Sequence, residues 1–195
     1  MTPRVGILAL QGAVAEHGRA LTAVGAEVRT VRRPAELAGL DGLVVPGGES
    51  TTMARLAAPV QMMENIRAAH DDGLAMFGTC AGMILMARAV TDPEALDGFA
   101  RIGGLDITVR RNGYGSQLDS FTSRLDVLGL DQPLEAVFIR APVVETTGED
   151  VDVLAEVRGT PVAVRQGRVL ATSFHPELTG SHRLHGLFVD MLQEL

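Results

Sequence analysis

The sequence contains a single cysteine, Cys80, so it cannot form an internal disulfide bond. A lone cysteine fits a reducing compartment, and the cytoplasm is expected. No apolar run approaches the roughly 18 residues that a membrane-spanning helix needs, so a soluble protein is expected. The first residues lead straight into a strand-like run at 5–10, without the pattern of an export signal. Together these absences argue against membrane proteins and disulfide-stapled secreted domains.

Clusters of basic residues and metal-ligand spacings are also lacking. The net charge is -7, and the Arg32-Arg33 and Arg110-Arg111 pairs are too short to follow a phosphate backbone. No second His or Cys stands at ligand spacing from another, so neither a metal nor a cofactor is expected. There is no repeat or linker, and 195 residues suit one domain spanning 1–195.

What the chain does contain is an alternation of strand-like and helix-like segments in its first half. The strand-like runs lie at 5–10, 28–31, 43–45 and 74–77, with helical patterns at 13–24, at 61–69 and after residue 80. Near-continuous apolar strands between helices are typical of a parallel sheet covered on both faces. The pattern predicts an α/β fold with a central, mostly parallel sheet.

The second half changes character. Short strands are predicted at 105–109, 121–127, 137–140 and 151–157, and a hairpin joins 161–165 to 169–173 through Gln166-Gly167. Antiparallel additions to the sheet are therefore expected. An amphipathic helix is predicted at 181–195, and its apolar face consists of Leu184, Leu187, Phe188, Met191 and Leu192.

Cys80 lies where a predicted strand turns into a predicted helix, bracketed by Gly78 and Gly82. Glycines at these two positions allow a tight bend and a close helix-strand contact, as in the strand-turn-helix elbow that carries a nucleophile. A lone cysteine is by itself more often a small buried residue. At such an elbow the sulfur would instead face solvent at a helix N-terminus, which favours the thiolate.

A catalytic thiol needs an imidazole base and a group that orients the ring. His175 follows a predicted strand and precedes Pro176-Glu177, and functional groups collect at strand ends in open α/β sheets. Glu177 is spaced to orient the ring, although an ordinary polar loop remains the alternative. Exposed or capping roles are expected for the other histidines, namely His17, His70, His182 and His185.

The glycine turn at 46–52 follows the third predicted strand and ends in the hydroxyl residues Ser50, Thr51 and Thr52. Side chains of this kind accept hydrogen bonds from the first free N–H groups of a helix. We expect these hydroxyls to cap the helix that follows.

Several sequence blocks together carry a resemblance to a known family. They are LALQGAV at 8–14, PGGESTTM at 46–53, FGTCAG at 77–82, Arg111-Asn112 with Gly115, FIRAP at 138–142 and SFHPELT at 173–179. The set resembles class I, or triad-type, glutamine amidotransferases. Within them it is most similar to the glutaminase-subunit (PdxT) family of two-subunit pyridoxal 5'-phosphate synthase.

The resemblance implies a single-domain, three-layer α/β/α fold of the flavodoxin-like kind and a role for each matching residue. Cys80 would be the nucleophile, His175 the general acid and base, and Glu177 the group that orients His175. The implied glutamine-binding residues are Gly48, Glu49, Ser50, Arg111, Ile139 and Arg140. The backbone N–H groups of Gly48 and Ala81 would form the oxyanion hole, and Gln11 would take part in activation by the synthase, although it could equally be a simple strand-end turn residue.

These implied roles suit the chemistry of glutamine. A glutamine site needs a guanidinium to bind the carboxylate and an acceptor to bind the ammonium. Arg111 or Arg140 could supply the guanidinium, and Glu49 the acceptor. An oxyanion-hole donor typically contributes about 3 to 4 kcal/mol to the transition state. The expected products are glutamate and ammonia, and the ammonia would pass to a separate synthase subunit of the PdxS type, since a chain of this length cannot also hold that subunit's TIM barrel.

Two positions depart from wider patterns. Met83 stands where many class I glutaminases have Gln, which favours the pyridoxal-synthase branch. The segment 112–115 reads Asn-Gly-Tyr-Gly instead of the more usual Asn-Ser-Phe-Gly, a conservative exchange.

Three alternative functions remain open at this point. The chain could supply ammonia to a different amidotransferase, it could be a stress-type cysteine hydrolase on a similar sheet, or it could be a non-catalytic binding subunit with a vestigial site. The presence of Cys80, His175 and Glu177 together speaks against the last of these.

Overall fold

The computed structural model describes residues 1–111, 113 and 120–193. Its α-helices are α1 (Val14–Ala23), α2 (Ser50–Ala57), α3 (Met62–Asp71), α4 (Ala81–Met86) and α5 (Arg183–Met191). Single 3₁₀ turns lie at Pro34–Leu37, Ala58–Val60, Pro93–Leu96 and Pro176–Leu178.

The strands of the first half are β1 (Arg4–Leu8), β2 (Glu27–Val31), β3 (Gly42–Val45), β4 (Ala75–Thr79) and β5 (Ala87–Val90). Those of the second half are β6 (Leu105–Arg110), β7 (Ser120–Leu125), β8 (Leu134–Ile139), β9 (Val143–Thr147), β10 (Asp152–Val157), β11 (Thr160–Gln166) and β12 (Val169–Thr172). The central sheet has the order β10-β11-β12-β4-β3-β1-β2.

Most neighbours in the central sheet are parallel. The pairs β2–β1, β1–β3, β3–β4 and β4–β12 run in the same direction, whereas β11 is antiparallel to both β12 and β10. The hairpin predicted around Gln166-Gly167 is therefore confirmed, and so is the mostly parallel sheet with antiparallel additions. Because β3, β4 and β12 are parallel, the residues that follow them meet at one edge of the sheet.

Helices cover both faces of this sheet. Side chains of β3 alternate between two apolar cores, with Val44 on one face and Leu43 and Val45 on the other. Leu21 of α1 and Phe188 of α5 belong to the Val44 core. The helices α2, α3 and α4 pack on the opposite face, so the fold is a three-layer α/β/α arrangement.

Two strands were missed in the sequence. The helix predicted after residue 80 ends at Met86, and β5 begins at once. Strand β9 was not predicted either, and it pairs with β6 in a separate small sheet that also contains β5. The run 83–87 is rich in good helix formers, so local propensity favours a helix that continues through residue 87. The pairing of β5 with β6 ends the helix earlier.

The last helix, α5, is shorter than the predicted 181–195, and residues 194–195 lie outside the described part of the chain. Its predicted apolar face is confirmed by the burial of Leu184, Phe188 and Met191. Among the residues described here, no helix is long and apolar enough to cross a membrane.

Candidate active site

Cys80 occupies the tight turn between β4 and α4, as the glycine bracket predicts. Its φ of 49° is positive, which is rare for a residue with a side chain and marks a constrained position. A Cβ on Gly82 would collide with the carbonyl oxygen of Val45, and one on Gly78 would lie 2.5 Å from the sulfur of Met86. Both glycines are therefore needed for α4 to pack this closely against the sheet.

The Cys80 residue is less open than expected from the sequence. Only 6% of it is exposed, and its Sγ lies 3.9 Å from the carbonyl oxygen of Ile139. The prediction of a solvent-facing sulfur is thus corrected, because the end of β8 lies against the elbow. The sulfur instead borders a cavity at the carboxyl ends of the strands.

His175 and Glu177 form a tight pair beside this elbow. The Nδ1 of His175 lies 2.7 Å from Oε1 of Glu177, so Nδ1–H donates to the carboxylate. The position of His175 is fixed by its backbone N–H, which donates to the carbonyl of Val137 at 2.8 Å, and by the 3₁₀ turn that begins at Pro176. Glu177 thus holds the ring, as the spacing of two residues suggested.

The electrostatics of this pair favour a charged imidazole. Burial lowers the pKa of His175, but hydrogen bonding and charge interactions with Cys80 and Glu177 outweigh that effect and raise it to about 10. At neutral pH His175 is therefore an imidazolium, which favours negative charge on the groups next to it.

Gly47 packs directly against the His175 ring. A Cβ at this position would collide with Cε1 of His175 and would lie 3.4 Å from Cβ of Cys80. Any larger residue would push the imidazole away from the thiol. Sequence reasoning did not single out Gly47 for this purpose.

The loop that contains Gly47 is fastened at two points. The N–H of Gly47 donates to Oγ1 of Thr79 at 2.9 Å, and the N–H of Glu49 donates to Oε1 of Gln11 at 2.8 Å. Gln11 is therefore more than a residue of a strand-end turn, because its side chain holds the backbone next to Gly48. This contact is the structural basis for any effect of Gln11 on the loop.

The helix cap after this loop differs from the predicted one. The carboxylate of Glu49 accepts hydrogen bonds from the N–H groups of Thr51 at 3.0 Å and Thr52 at 2.7 Å. It therefore caps α2 in place of the expected hydroxyls, because a carboxylate reaches both N–H groups at once. Burial raises the pKa of Glu49, but the hydrogen bonds from Thr52 and Thr51 give a net lowering. A guanidinium nitrogen of Arg111 lies 3.7 Å from the same carboxylate.

A cavity of about 340 Å³ brings the predicted residues together. Cys80, His175 and Gln11 line it, together with every predicted glutamine-binding residue: Gly48, Glu49, Ser50, Arg111, Ile139 and Arg140. Ile84 of α4 also lines the cavity and was missed, since nothing in a helical apolar run marks the one side chain that faces a ligand. The predicted family residues Asn112 and Gly115 lie outside the described residues.

A larger cavity of about 480 Å³ lies at the opposite, amino ends of the strands, beside Asp41, Leu74 and Arg168. None of the residues predicted to carry chemistry lines it. Within the part of the chain that the structure describes, no group of three or more potential metal-binding side chains is present.

Two histidines were placed wrongly from the sequence. His17 and His185 are 0% exposed, not surface residues, because α1 and α5 press them against the sheet. Burial lowers the pKa of His17 to about 3 and that of His185 to about 4, so both are neutral. His70 and His182 are half-buried, and neither caps a helix with its side chain. Nδ1 of His70 lies 2.9 Å from the carbonyl oxygen of Leu74, beyond the end of α3, and His182 precedes α5 without a capping hydrogen bond.

The three-layer α/β fold, the cysteine at its strand-helix elbow and the His175–Glu177 pair fit the class expected from the sequence, the class I glutamine amidotransferases. The sequence profile of the SNO glutamine amidotransferase family matches residues 7–194, and the chain belongs to that family. The prediction made from the sequence blocks is confirmed.

The chain is also similar to curated PdxT subunits from several bacteria. The chain is 57% identical to pyridoxal 5'-phosphate synthase subunit PdxT of Streptomyces avermitilis, over 98% of this chain and 95% of the relative. It is 58% identical to the PdxT subunit of Frankia alni, over 98% and 96% of the two chains, and 53% identical to that of Mycobacteroides abscessus, over 99% of each.

Solved structures support the fold. A crystal structure described as a glutamine amidotransferase superposes with a TM-score of 0.91 at 46% identity, covering 97% of this chain and 98% of the other. A structure described as a GMP synthase protein from Thermoplasma acidophilum has a TM-score of 0.67 at 16% identity, over 99% and 95% of the two chains, which shows a shared fold alone.

Proposed function

We propose that this chain hydrolyses L-glutamine to L-glutamate and ammonia through a thioester at Cys80. The observation that carries the proposal is the cavity that Cys80 and His175 share with all of the predicted glutamine-binding residues. The high identity to PdxT subunits over nearly the full chain supports the same reaction.

In the first half-reaction the Cys80 thiolate attacks the side-chain amide carbon of glutamine. Negative charge develops on the amide oxygen, and the N–H groups of Gly48 and Ala81 are the proposed donors that stabilise it. The imidazolium of His175 gives its proton to the amide nitrogen, the C–N bond breaks, and ammonia leaves. The high pKa of His175 keeps this proton available at neutral pH.

In the second half-reaction a water molecule attacks the γ-glutamyl thioester. The neutral His175 takes a proton from the water as the C–O bond forms, and the C–S bond breaks to release glutamate and restore the thiolate. Glu177 holds Nδ1–H throughout, so the other ring nitrogen, Nε2, is the one that exchanges protons.

Substrate selectivity is assigned to the charged groups at the cavity rim. Arg111 or Arg140 would bind the α-carboxylate of glutamine by charge-assisted hydrogen bonds. Glu49 lies beside Arg111 and is already engaged with the N-terminus of α2, so it presents a fixed negative charge to the α-ammonium. Gly48 and Ser50 carry the loop backbone that faces the amide.

The ammonia is used by a separate synthase subunit for pyridoxal 5'-phosphate biosynthesis. The named relatives are subunits of such a synthase, which supports a partner of the PdxS type with a TIM barrel and a hetero-oligomeric assembly. We assign residues 1–195 to one glutaminase domain and place it in the cytoplasm, where a catalytic thiol stays reduced.

Glutamate release by the chain mixed with its synthase subunit tests this function. We expect activity in the wild type, a loss of at least about 1,000-fold in Cys80→Ala as expected when a covalent nucleophile is removed, and little change in the exposed control Arg19→Ala. A glutamine-like electrophile should alkylate Cys80 and no other residue. Full activity of Cys80→Ala would refute the proposal.

A further inference from the structure

A buried group of polar side chains lies directly behind the proposed catalytic residues. It consists of His17 on α1, Thr79 at the end of β4, Glu177, and His185 on α5. His17, Thr79 and His185 are 0% exposed, and Glu177 is 7% exposed. Burial of polar groups costs free energy unless they form hydrogen bonds, so the contacts within this group indicate its role.

The contacts form a continuous chain. His17 Nδ1 lies 2.9 Å from Nε2 of His185, and His17 Nε2 lies 3.5 Å from Oε2 of Glu177 and 3.3 Å from Oγ1 of Thr79. The same Oγ1 accepts the N–H of Gly47 at 2.9 Å. His17 therefore stands between the carboxylate that orients His175 and the hydroxyl that fastens the glycine loop.

The carboxylate decides which nitrogen of His17 carries the proton. Within the described residues, Oε2 of Glu177 is buried and makes no hydrogen bond of good geometry, and Nε2 of His17 faces it at 3.5 Å. A lone pair on that nitrogen would repel the carboxylate, whereas an N–H stabilises it. The proton of His17 therefore belongs on Nε2.

The second histidine supports the same arrangement. If Nε2 of His185 is protonated, it donates to the free Nδ1 of His17 at 2.9 Å. In the described part of the chain, Nδ1 of His185 is buried without a partner, and a proton there would leave an orphaned donor. An unpaired acceptor is tolerated better than an unpaired N–H. Both rings are thus neutral and protonated on Nε2, in line with their lowered pKa values.

We propose that His17 is a positioning residue for the reaction, which directs its Nε2–H at Glu177 and Thr79 and thereby couples the orientation of His175 to that of the Gly47 loop. The inference rests on the proposed function, because it concerns the same site. His17 itself lies behind Glu177 and not at the cavity surface, so it touches neither substrate nor thiol.

Two substitutions that differ by one methylene separate this role from simple packing. His17→Gln can place an amide N–H near the position of Nε2, whereas the shorter His17→Asn reproduces the Nδ1 acceptor toward His185 and falls short of Glu177. Phe188→Leu is the control, since Phe188 is fully buried in the same layer, packs on Phe77 and does not belong to the histidine group.

We expect kcat for glutamine hydrolysis to fall about 10- to 100-fold in His17→Asn, as when a hydrogen bond to a charged group is lost. KM should change little, and His17→Gln should recover most of kcat. A second measurement uses the isolated chain, in which proton NMR follows the titration of His175. Its pKa should drop in His17→Asn, because Glu177 is no longer held by the Nε2–H of His17 in the position that receives the Nδ1–H of His175, and should stay near the wild-type value in His17→Gln and Phe188→Leu.

A third measurement needs no variant. Long-range ¹H–¹⁵N correlation spectra of histidine-labelled wild-type protein should show His17 protonated on Nε2 alone. Protonation of Nδ1 would overturn the inference, as would a His17→Asn variant with wild-type kcat or with an unchanged His175 titration. If the proposed function itself were wrong, the wild-type chain mixed with its synthase would release no glutamate. The NMR measurements on the isolated chain do not depend on that result.

Discussion

Cys80 and His175 are ordinary side chains made reactive by their surroundings. The imidazole packs against Gly47 and is held by Glu177, and hydrogen bonds and charge interactions with Cys80 and Glu177 outweigh its burial and raise its pKa. A thiolate paired with an imidazolium is both the stronger nucleophile and a ready proton donor. One pair of residues can therefore serve both half-reactions.

Removal of the thiol should change the titration of His175. In Cys80→Ala the pKa of His175 should fall from about 10 toward its ordinary range, because burial still lowers it while the group that raises it most is gone. Proton NMR of the imidazole resonances as a function of pH measures this directly. An identical titration in both proteins would show that Cys80 and His175 do not interact.

At the residue scale the sequence identified the groups that carry chemistry and missed those that support them. Cys80, His175 and Glu177 stand out because each lies at a strand end or a turn. The mixed polarity of its helical segment predicts an exposed or capping role for His17, and this prediction is wrong. Its burial depends on contacts with α5, about 170 residues later in the chain, and local sequence carries no sign of them.

The elbow between β4 and α4 determines where the Cys80 sulfur lies relative to the sheet. In Gly82→Ala the new Cβ would meet the carbonyl oxygen of Val45, so α4 has to move away. We expect a loss of about 1 to 3 kcal/mol in the free energy of unfolding and a marked loss of glutaminase activity. Urea unfolding and glutamate release measure the two effects.

Gly186→Ala in α5 is the matched control for that substitution. The nearest atom to its Cβ would be Cγ1 of Val24 at 3.9 Å, so the methyl group has room. Alanine in a helix should stabilise the protein by about 0.5 to 1 kcal/mol relative to glycine. If both substitutions proved harmless, the close approach of α4 to the sheet would not be needed for the site.

The loop after β3 depends on Gln11 for its shape. In Gln11→Met the N–H of Glu49 loses its acceptor, and we expect kcat/KM with the synthase present to fall about tenfold or more, which corresponds to about 1.4 kcal/mol. Gln11→Glu keeps an acceptor oxygen at the same distance and should retain more activity. Equal activity of the two variants would show that this hydrogen bond does not shape the loop.

At the scale of elements, prediction succeeded where one local pattern dominated. The alternation in the first half predicted the parallel sheet, and Gln166-Gly167 predicted the hairpin between β11 and β12. Prediction failed at β5 and β9, whose sheet is assembled from segments distant in sequence, and at the cap of α2. Strand pairing depends on neighbours in space, which periodicity does not report. The cap of α2 is local, and periodicity does not decide which of several adjacent polar side chains forms it.

For the whole molecule, the buried histidines imply that stability depends on pH. His17 and His185 have native pKa values of about 3 and about 4, below the ordinary 6.5. As the pH falls below 6.5 the unfolded chain binds protons that the native chain does not, so the free energy of unfolding should fall by about 1.4 kcal/mol per pH unit for each histidine.

His175 acts in the opposite direction. Its pKa is raised to about 10, so its contribution to stability is complete below pH 6.5 and is lost as the pH rises toward 10. Stability should therefore be greatest near neutral pH. Urea unfolding at a series of pH values measures the curve, and His17→Gln should flatten its acid side. An acid side of unchanged slope in that variant would contradict the assignment of His17 as a buried neutral base.

The proposed reaction depends on a covalent intermediate at one atom, and rapid acid quenching detects it most directly. The chain, its synthase partner and glutamine are mixed, quenched during turnover and digested, and the peptide that contains Cys80 is weighed by mass spectrometry. We expect a fraction of that peptide to carry one γ-glutamyl group, removable by hydroxylamine and missing from Cys80→Ala. Glutamate release by Cys80→Ala at the wild-type rate, with Cys80 unmodified in the wild type, would contradict the proposed reaction.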